Sequence, residues 1–212
     1  MKTYAYIDAS NLFYGGQKSL GWSVDFEKLL YYLKDRFEVS QTYYFGGVEI
    51  HNFPFDYLTN DTVPLKELEI YLTHFIEKNK NKLTTAKLIL LDRQIKQVRF
   101  YKKLQKFGFH LILKPVKIYD DEDGGQKRKA NCDVEMAFYM MRDQKDFDRV
   151  IFLSGDGDFL PVLKHLREVV KKEVLVLARG PRTAREIKRF AGDKFMDMTN
   201  NNLRQRIEKI DL

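Results

Sequence analysis

Short apolar and aromatic runs recur along the chain, with amphipathic stretches between them. The runs are Tyr4 to Ile7, Gln41 to Phe45, Lys87 to Leu91, Phe109 to Leu113, Arg149 to Leu153 and Val174 to Ala178. Strands that are apolar nearly throughout, without alternation, are those buried on both faces of a mostly parallel sheet. Between them the spacing turns helical: Phe26, Leu29, Leu30 and Leu33 lie within Asp25 to Phe37. Ile95, Val98, Tyr101 and Leu104 repeat the pattern within Arg93 to Phe107, which Gly108 ends. The alternation predicts βα repeats and so an α/β fold of three layers, a mainly parallel central sheet covered by helices on both faces.

Two segments break this rhythm. Pro64 to Leu83 reads as a helix with a strongly polar end, Glu77 to Lys82, projecting into solvent, and residues 48–83 are expected to be a helical insertion in a single domain spanning 1–198. Tyr119 to Lys129 has no apolar period. It carries Asp120-Asp121-Glu122-Asp123-Gly124-Gly125 and then Lys127-Arg128-Lys129, which predicts a mobile loop leading into the helix that bears Asp133. Residues 199–212 are expected to form a polar terminal helix or tail.

At 212 residues and 44% hydrophobic content, the chain buries one sizeable core. Its single cysteine, Cys132, excludes an intrachain disulfide framework and a cysteine-rich zinc site, so a reducing, cytoplasmic setting is expected. The first residues run straight into a strand with no apolar leader, and no stretch reaches the length of a membrane span. A soluble, untargeted protein is the expectation, with no membrane partner. The net charge of +7 is unevenly spread: residues 93–129 carry 11 Lys/Arg against 4 Asp/Glu, and residues 159–212 carry 13 against 7. Residues 130–158 are acidic, with 3 against 7. Basic segments around an acidic centre suit a protein that holds a polyanion, although solvated helix faces give the same count.

In a parallel sheet, ligands bind beyond the carboxyl ends of the strands, where loops and helix starts converge. Asp8 closes the first apolar run and is followed by Ser10 and Asn11; Ser154-Gly155-Asp156-Gly157-Asp158 follows the run ending at Leu153. Gly155 and Gly157 are expected to permit the turns that hold Asp156 and Asp158 together. Asp133, after Asn131 as a helix cap, joins them from a first helical turn, where a carboxylate is also favoured by the helix dipole alone. Asp158 serves equally well as a cap. Four carboxylates on one rim repel unless a hard cation neutralises them, and oxygen-only ligands suit Mg2+ or Mn2+. Such ions activate water for in-line displacement at phosphorus. His51, His74, His110 and His165 have no metal-ligand spacing and read as ordinary surface or satisfied core residues. Tyr14 and Trp22 offer rings for base stacking, with packing the commoner role.

These residues carry a family resemblance. Tyr6-Ile7-Asp8-Ala9-Ser10-Asn11, Lys129-Ala130-Asn131-Cys132-Asp133 and Ser154-Gly155-Asp156-Gly157-Asp158-Phe159 resemble the NYN domain (LabA-like) family of the PIN-like nuclease superfamily. Arg93-Gln94, Phe100 to Leu104 ahead of Gly108, and Ala191-Gly192-Asp193-Lys194-Phe195 extend the likeness. Ala9, where glycine is common, and the lack of a glycine before the Asp133 helix depart from the pattern without removing a ligand.

The resemblance implies a metal-dependent ribonuclease. Asp8, Asp133, Asp156 and Asp158 would be catalytic and metal-binding, and Asn11, Ser10 and Ser154 would support them. RNA, single-stranded or structured, is the expected partner, and Arg93, Lys96, Arg99, Lys127, Arg128 and Lys129 are expected to contact its phosphates. A homo-oligomer joined through the insertion stays open. The alternatives are an inactive RNA-binding or regulatory module of the same fold and a toprim-type phosphotransfer enzyme, the latter opposed by an aspartate where toprim places a glutamate. Asp8-Ala9-Ser10 also lacks the second aspartate of a haloacid-dehalogenase phosphatase, and Gly15-Gly16 comes too late for a dinucleotide fingerprint.

Overall fold

In the computed structural model, which describes residues 1–13, 21–120 and 126–209, strand β1 (Thr3–Asp8) is buried at all six positions. Only a strand covered on both faces achieves this. It sits inside a six-stranded sheet of order β3-β2-β1-β6-β7-β8. The other strands are β2 (Val39–Val48), β3 (His110–Pro115), β6 (Arg149–Leu153), β7 (Glu173–Ala178) and β8 (Phe195–Asp197). The pairings of β1 with β2 and β6, of β6 with β7, and of β7 with β8 are all parallel. The expected α/β class is what the chain adopts. The side chains of Phe13, 118–120 and 126–129 lie outside the described set.

The chain divides into two compact units, one of Met1–Phe45 with Asp133–Leu212 and one of Gly46–Cys132. In the first, helix α1 (Ala9–Phe13) follows β1, and α2 (Phe26–Phe37) returns the chain to β2. Asp25 starts α2 by accepting the N–H groups of Glu27 and Lys28, and Leu29, Leu30, Leu33 and Phe37 are its buried face. On one side of β1 the rings of Tyr6 and Tyr43 stack at 5.2 Å, and Tyr4 meets Phe147 at 5.5 Å. Buried Asp143 accepts the Tyr6 hydroxyl at 3.3 Å and is clamped by Arg142 at 2.6 and 3.0 Å, so its charge is paired. Trp22 is buried, with Arg204 over its ring at 5.7 Å, a packing role. Tyr14 lies outside the described residues.

In the second unit, α3 (Leu65–Asn79) packs on the long α4 (Thr85–Phe107). Thr84 caps α4 by accepting the Lys87 N–H, and Gly108, at φ 108°, ends it as only glycine readily does. The strand expected at Lys87 to Leu91 is therefore corrected: those residues form the start of α4. A run of four or five apolar residues cannot separate a strand from a helix, and the cap decides; Ile89 is left 58% exposed while Leu91 is fully buried. The loop expected over Tyr119 to Lys129 is also corrected. β4 (Lys117–Asp120) and β5 (Gln126–Lys129) pair antiparallel, placing the basic triplet on a hairpin strand, while residues 121–125 lie outside the described ones. No described helix is long and apolar enough to cross a membrane.

Candidate active site

The centre of the sheet puts its two most informative polar residues side by side. Ile7 of β1 is paired with Leu153 of β6, so the next residues along each strand, Asp8 and Ser154, emerge together at the carboxyl ends. Asp8 is 5% exposed and Ser154 is fully buried. The Ser154 hydroxyl donates to Asp8 Oδ2 at 2.9 Å, while Asp8 Oδ1 accepts the Ser10 hydroxyl at 2.7 Å and the Asn11 N–H at 3.1 Å. α1 begins directly after the strand, and this brings the Asn11 N–H back onto Asp8.

The second loop is tied into the same network. Asn11 Oδ1 accepts the Gly155 N–H at 2.8 Å, and the Ser154 oxygen accepts the Asp156 N–H at 3.2 Å. Asp156 in turn accepts the Asp158 N–H at 3.0 Å and so caps the 3₁₀ turn Gly157–Phe159. The helix α6 (Leu160–Lys164) and a π turn, His165–Val169, continue from it. Thus Asp8, Ser10, Asn11, Ser154 and the backbone of Asp156 form one hydrogen-bonded unit, with Asp156 half-buried and Asp158 exposed at its rim. Asp133 is half-buried and opens α5 (Asp133–Arg142), which packs against β1.

The four carboxylates are not drawn into one closed cluster. Among the described residues, no three His, Cys, Asp or Glu side chains stand close enough together to hold a metal ion between them. The charge on Asp8 is instead met by three neutral donors, and no described cation pairs with it. A nearly buried carboxylate without a cation is a costly arrangement, stable only because its hydrogen bonds are in place.

The glycines act through space, not through unusual backbone angles. Neither Gly155 nor Gly157 is among the described glycines of positive φ. A Cβ on Gly155 would sit 2.8 Å from the Thr183 Cα, and one on Gly157 would strike the Glu186 carboxylate. Their smallness admits the segment after β7, Arg179 to Glu186, whose Ala184 N–H donates to Gly155 O at 2.9 Å. It leads into α7 (Arg185–Ala191) and brings exposed Arg182, Arg185 and Glu186 to this end of the unit. Sequence reasoning missed this segment, and its signal was the spacing of Arg179, Arg182 and Arg185. It is held by Asp197 at the end of β8, which accepts the Gly180 N–H at 3.0 Å. Burial pushes the Asp197 carboxyl up, but the N–H groups of Thr199 and Gly180 and the Thr199 hydroxyl outweigh it and hold the group below its ordinary value.

In the other unit, the expected phosphate contacts are partly engaged. Lys96 pairs with Asp92 at 2.7 Å and Arg99 with Glu69 at 2.9 Å; Arg93 is exposed. The side chains of Lys127, Arg128 and Lys129 lie outside the described residues.

A family model described as the NYN domain matches residues 66–199. The Low amplitude and bright protein LabA of Synechococcus elongatus is 26% identical over 208 residues, which take in 96% of this chain and 86% of that protein. The crystal structure of a protein of unknown function from Vibrio parahaemolyticus superposes with a TM-score of 0.59 at 19% identity, covering 98% of this chain and 96% of that one. The T5 5′-exonuclease with bound zinc is more remote, with a TM-score of 0.45 at 16% identity over 88% of this chain and 60% of that one.

Proposed function

The chain belongs to the NYN domain family, and from that membership and the buried carboxylate at the heart of its sheet we propose that it is a divalent-metal-dependent ribonuclease. The observation that carries the reading is Asp8: nearly buried, at the carboxyl end of a central parallel strand, and without a described cation. That is the position and the charge deficit that a hard cation fills. The donors fit magnesium or manganese, being oxygens throughout. Magnesium keeps much of its water and binds through one or two carboxylates plus substrate phosphate, so a preformed cage of three is not required. Asp8 would hold it, with Asp156, Asp158 and Asp133 as the further carboxylates. When bound, such an ion makes a coordinated water acidic and neutralises charge on the phosphate.

The protein's own groups do the positioning. Ser154, Ser10 and Asn11 fix the Asp8 carboxylate, and the Asp156 cap fixes the turn that carries Asp158. Arg182 and Arg185, with Arg93, Lys96, Arg99, Lys127, Arg128 and Lys129, supply positive charge to the RNA backbone. Exposed pairs such as Lys96 with Asp92 are worth about 0–1 kcal/mol, so a phosphate replaces the carboxylate at little cost. Hydrolysis would leave a 3′-hydroxyl and a 5′-phosphate, in a reducing cytoplasmic setting that suits a buried cysteine, Cys132, outside any disulfide.

One observation favours a second reading, a binding or regulatory module without catalysis: both Asp8 oxygens are already met by protein donors. Cleavage of single-stranded and structured RNA by wild type and by Asp8→Asn/Asp156→Asn separates the two. The ribonuclease reading expects magnesium-dependent cleavage that the double variant loses while its circular dichroism stays native. It also expects a gain of several degrees in the thermal midpoint at millimolar magnesium, because a ligand of the native state stabilises it by mass action. Undiminished cleavage in the double variant refutes the assignment, and absence of both cleavage and stabilisation selects the binding module.

A further inference from the structure

Helix α8 (Asn201–Ile207) packs on α2, fastened where the Asp25 N–H donates to Ile207 O at 2.8 Å. Between these two helices and the edge strand β8 lies a cavity of about 460 Å³, large enough for a small ligand. α2 contributes Tyr32 and Arg36, one turn apart on the same helical face, and α8 contributes Leu203 and Arg206. Leu203 and Phe195 of β8 supply an apolar part of the lining.

The two arginines are what the fold leaves unexplained. Both are exposed, so their N–H groups are open to a ligand. Among the described residues neither guanidinium is paired with a carboxylate; Arg206 lies 6.0 Å from the Tyr32 ring and Arg36 6.0 Å from the Phe37 ring. Other arginines of the same unit are given acids: Arg142 has Asp143, Arg149 has Glu173, and Arg204, on α8 itself, has Glu208 at 2.8 and 2.9 Å. The helix dipole accounts for a cation in the last turn of α2 or of α8, but not for two of them lining one hollow. Like charges gathered on one concavity repel unless an anion joins them. The acidic residue in the lining, Asp197, is already engaged: its Oδ1 accepts the N–H groups of Gly180 and Thr199 at 3.0 and 2.8 Å and the Thr199 hydroxyl at 2.7 Å. Asn200 Oδ1 accepts the Asn202 N–H at 2.9 Å, which leaves the Asn200 amide N–H groups as neutral donors in the lining.

We propose that this cavity binds a phosphate group, clamped between Arg36 and Arg206. A guanidinium is planar, keeps its charge at every working pH and offers paired N–H groups that match two phosphate oxygens, so two of them hold one phosphate from two sides. Two sources present that chemistry: a free phosphate ester such as a mononucleotide, and the backbone of an RNA strand. β8 lies three strands from β1, on the order of 14 Å at about 4.8 Å per strand, so one RNA strand can engage both this cavity and the Asp8 rim. The inference goes beyond the ribonuclease reading and does not rest on it, because the arginines hold phosphate whether or not Asp8 holds a metal.

The test is calorimetric titration of the full chain, with chelator present to prevent cleavage, using inorganic phosphate, adenosine 5′-monophosphate and a short single-stranded RNA. Arg36→Gln/Arg206→Gln should lose about tenfold or more in affinity. Lys34→Gln/Lys66→Gln removes two exposed charges outside the cavity and should lose less than about threefold. Loss for phosphate and the mononucleotide as well as RNA identifies a free phosphate ester as a ligand, and loss for RNA alone identifies its backbone as the source. The same titrations of isotope-labelled wild type should shift the side-chain Nε–H resonances of Arg36 and Arg206, a readout that stands should the double variant not fold. Affinity that the arginine variant retains, or that the lysine variant loses equally, overturns the proposal, as does the failure of all three probes to move either arginine resonance.

Discussion

Ser154→Ala probes how the site survives without a cation, because that hydroxyl does two jobs at no solvent exposure. It donates to Asp8 Oδ2 at 2.9 Å and accepts the Asp156 N–H at 3.2 Å. Alanine removes a hydrogen bond to a charged acceptor, worth about 1.5–3 kcal/mol, and leaves a partly buried N–H without its partner. The expected loss is about 2–3 kcal/mol, which for a chain of this size lowers the thermal midpoint by roughly 4–12 °C. Ser10 gives the control. Its hydroxyl reaches the same carboxylate at 2.7 Å, a shorter bond, but the residue is exposed and water replaces the donor. Ser10→Ala should therefore lose less than about 1 kcal/mol. Thermal melts followed by circular dichroism, with urea titrations for the free energies, compare the two. If Ser10→Ala proves as damaging as Ser154→Ala, or if Ser154→Ala loses under about 1 kcal/mol, burial is not what makes these bonds matter and the account of Asp8 is wrong.

Gly155→Ala should destabilise by about 1–3 kcal/mol, because its Cβ meets the Thr183 backbone at 2.8 Å and backbone cannot rotate aside. Thr183→Gly added to it leaves that Cα in place and should not restore the midpoint, whereas full rescue would show that only the threonine side chain obstructs. Alkali should unfold the protein through its tyrosines. Burial, with Asp143 close by, pushes Tyr43 up to about 12, and burial, with Cys132 close by, does the same to Tyr101, whose hydroxyl donates to Gly47 O at 2.7 Å. In the unfolded chain these phenols ionise near 10, roughly. Both groups are raised on folding, so their stabilisation is whole below about pH 10 and disappears between pH 10 and 12. Phenolate absorbance and unfolding followed together across that window check this; Tyr43 and Tyr101, with Tyr6 held higher still by burial and Asp143, should titrate late while the fold persists, and the absence of late-titrating tyrosines refutes it.

The residues around Asp8 were legible in the sequence for a physical reason: a parallel sheet spaces its central strands by apolar runs, and the first polar residue after each run must face the same rim. Asp8 after Ile7 and Ser154 after Leu153 follow from that rule alone. The elements that escaped it are those whose local pattern is too short or too ambiguous. Lys87 to Leu91 is as apolar as a strand, but Thr84 caps it into a helix; β8 is three residues long; the hairpin strands of β4 and β5 are polar enough to pass for a loop. Other features are long-range and leave no period at all. Gly155 and Gly157 read as turn-formers, yet their φ angles are ordinary and what they provide is room for Thr183 and Glu186, residues about thirty positions on. Gln94 looked like a helix residue next to a basic one, and only the position of Glu49 shows that its amide is held one way round with an acceptor left over. In both cases the informative quantity is a distance between elements. A sequence indicates where such groups emerge from the backbone, but which neighbour they meet is set by packing, and in this chain the chemistry lies in those meetings.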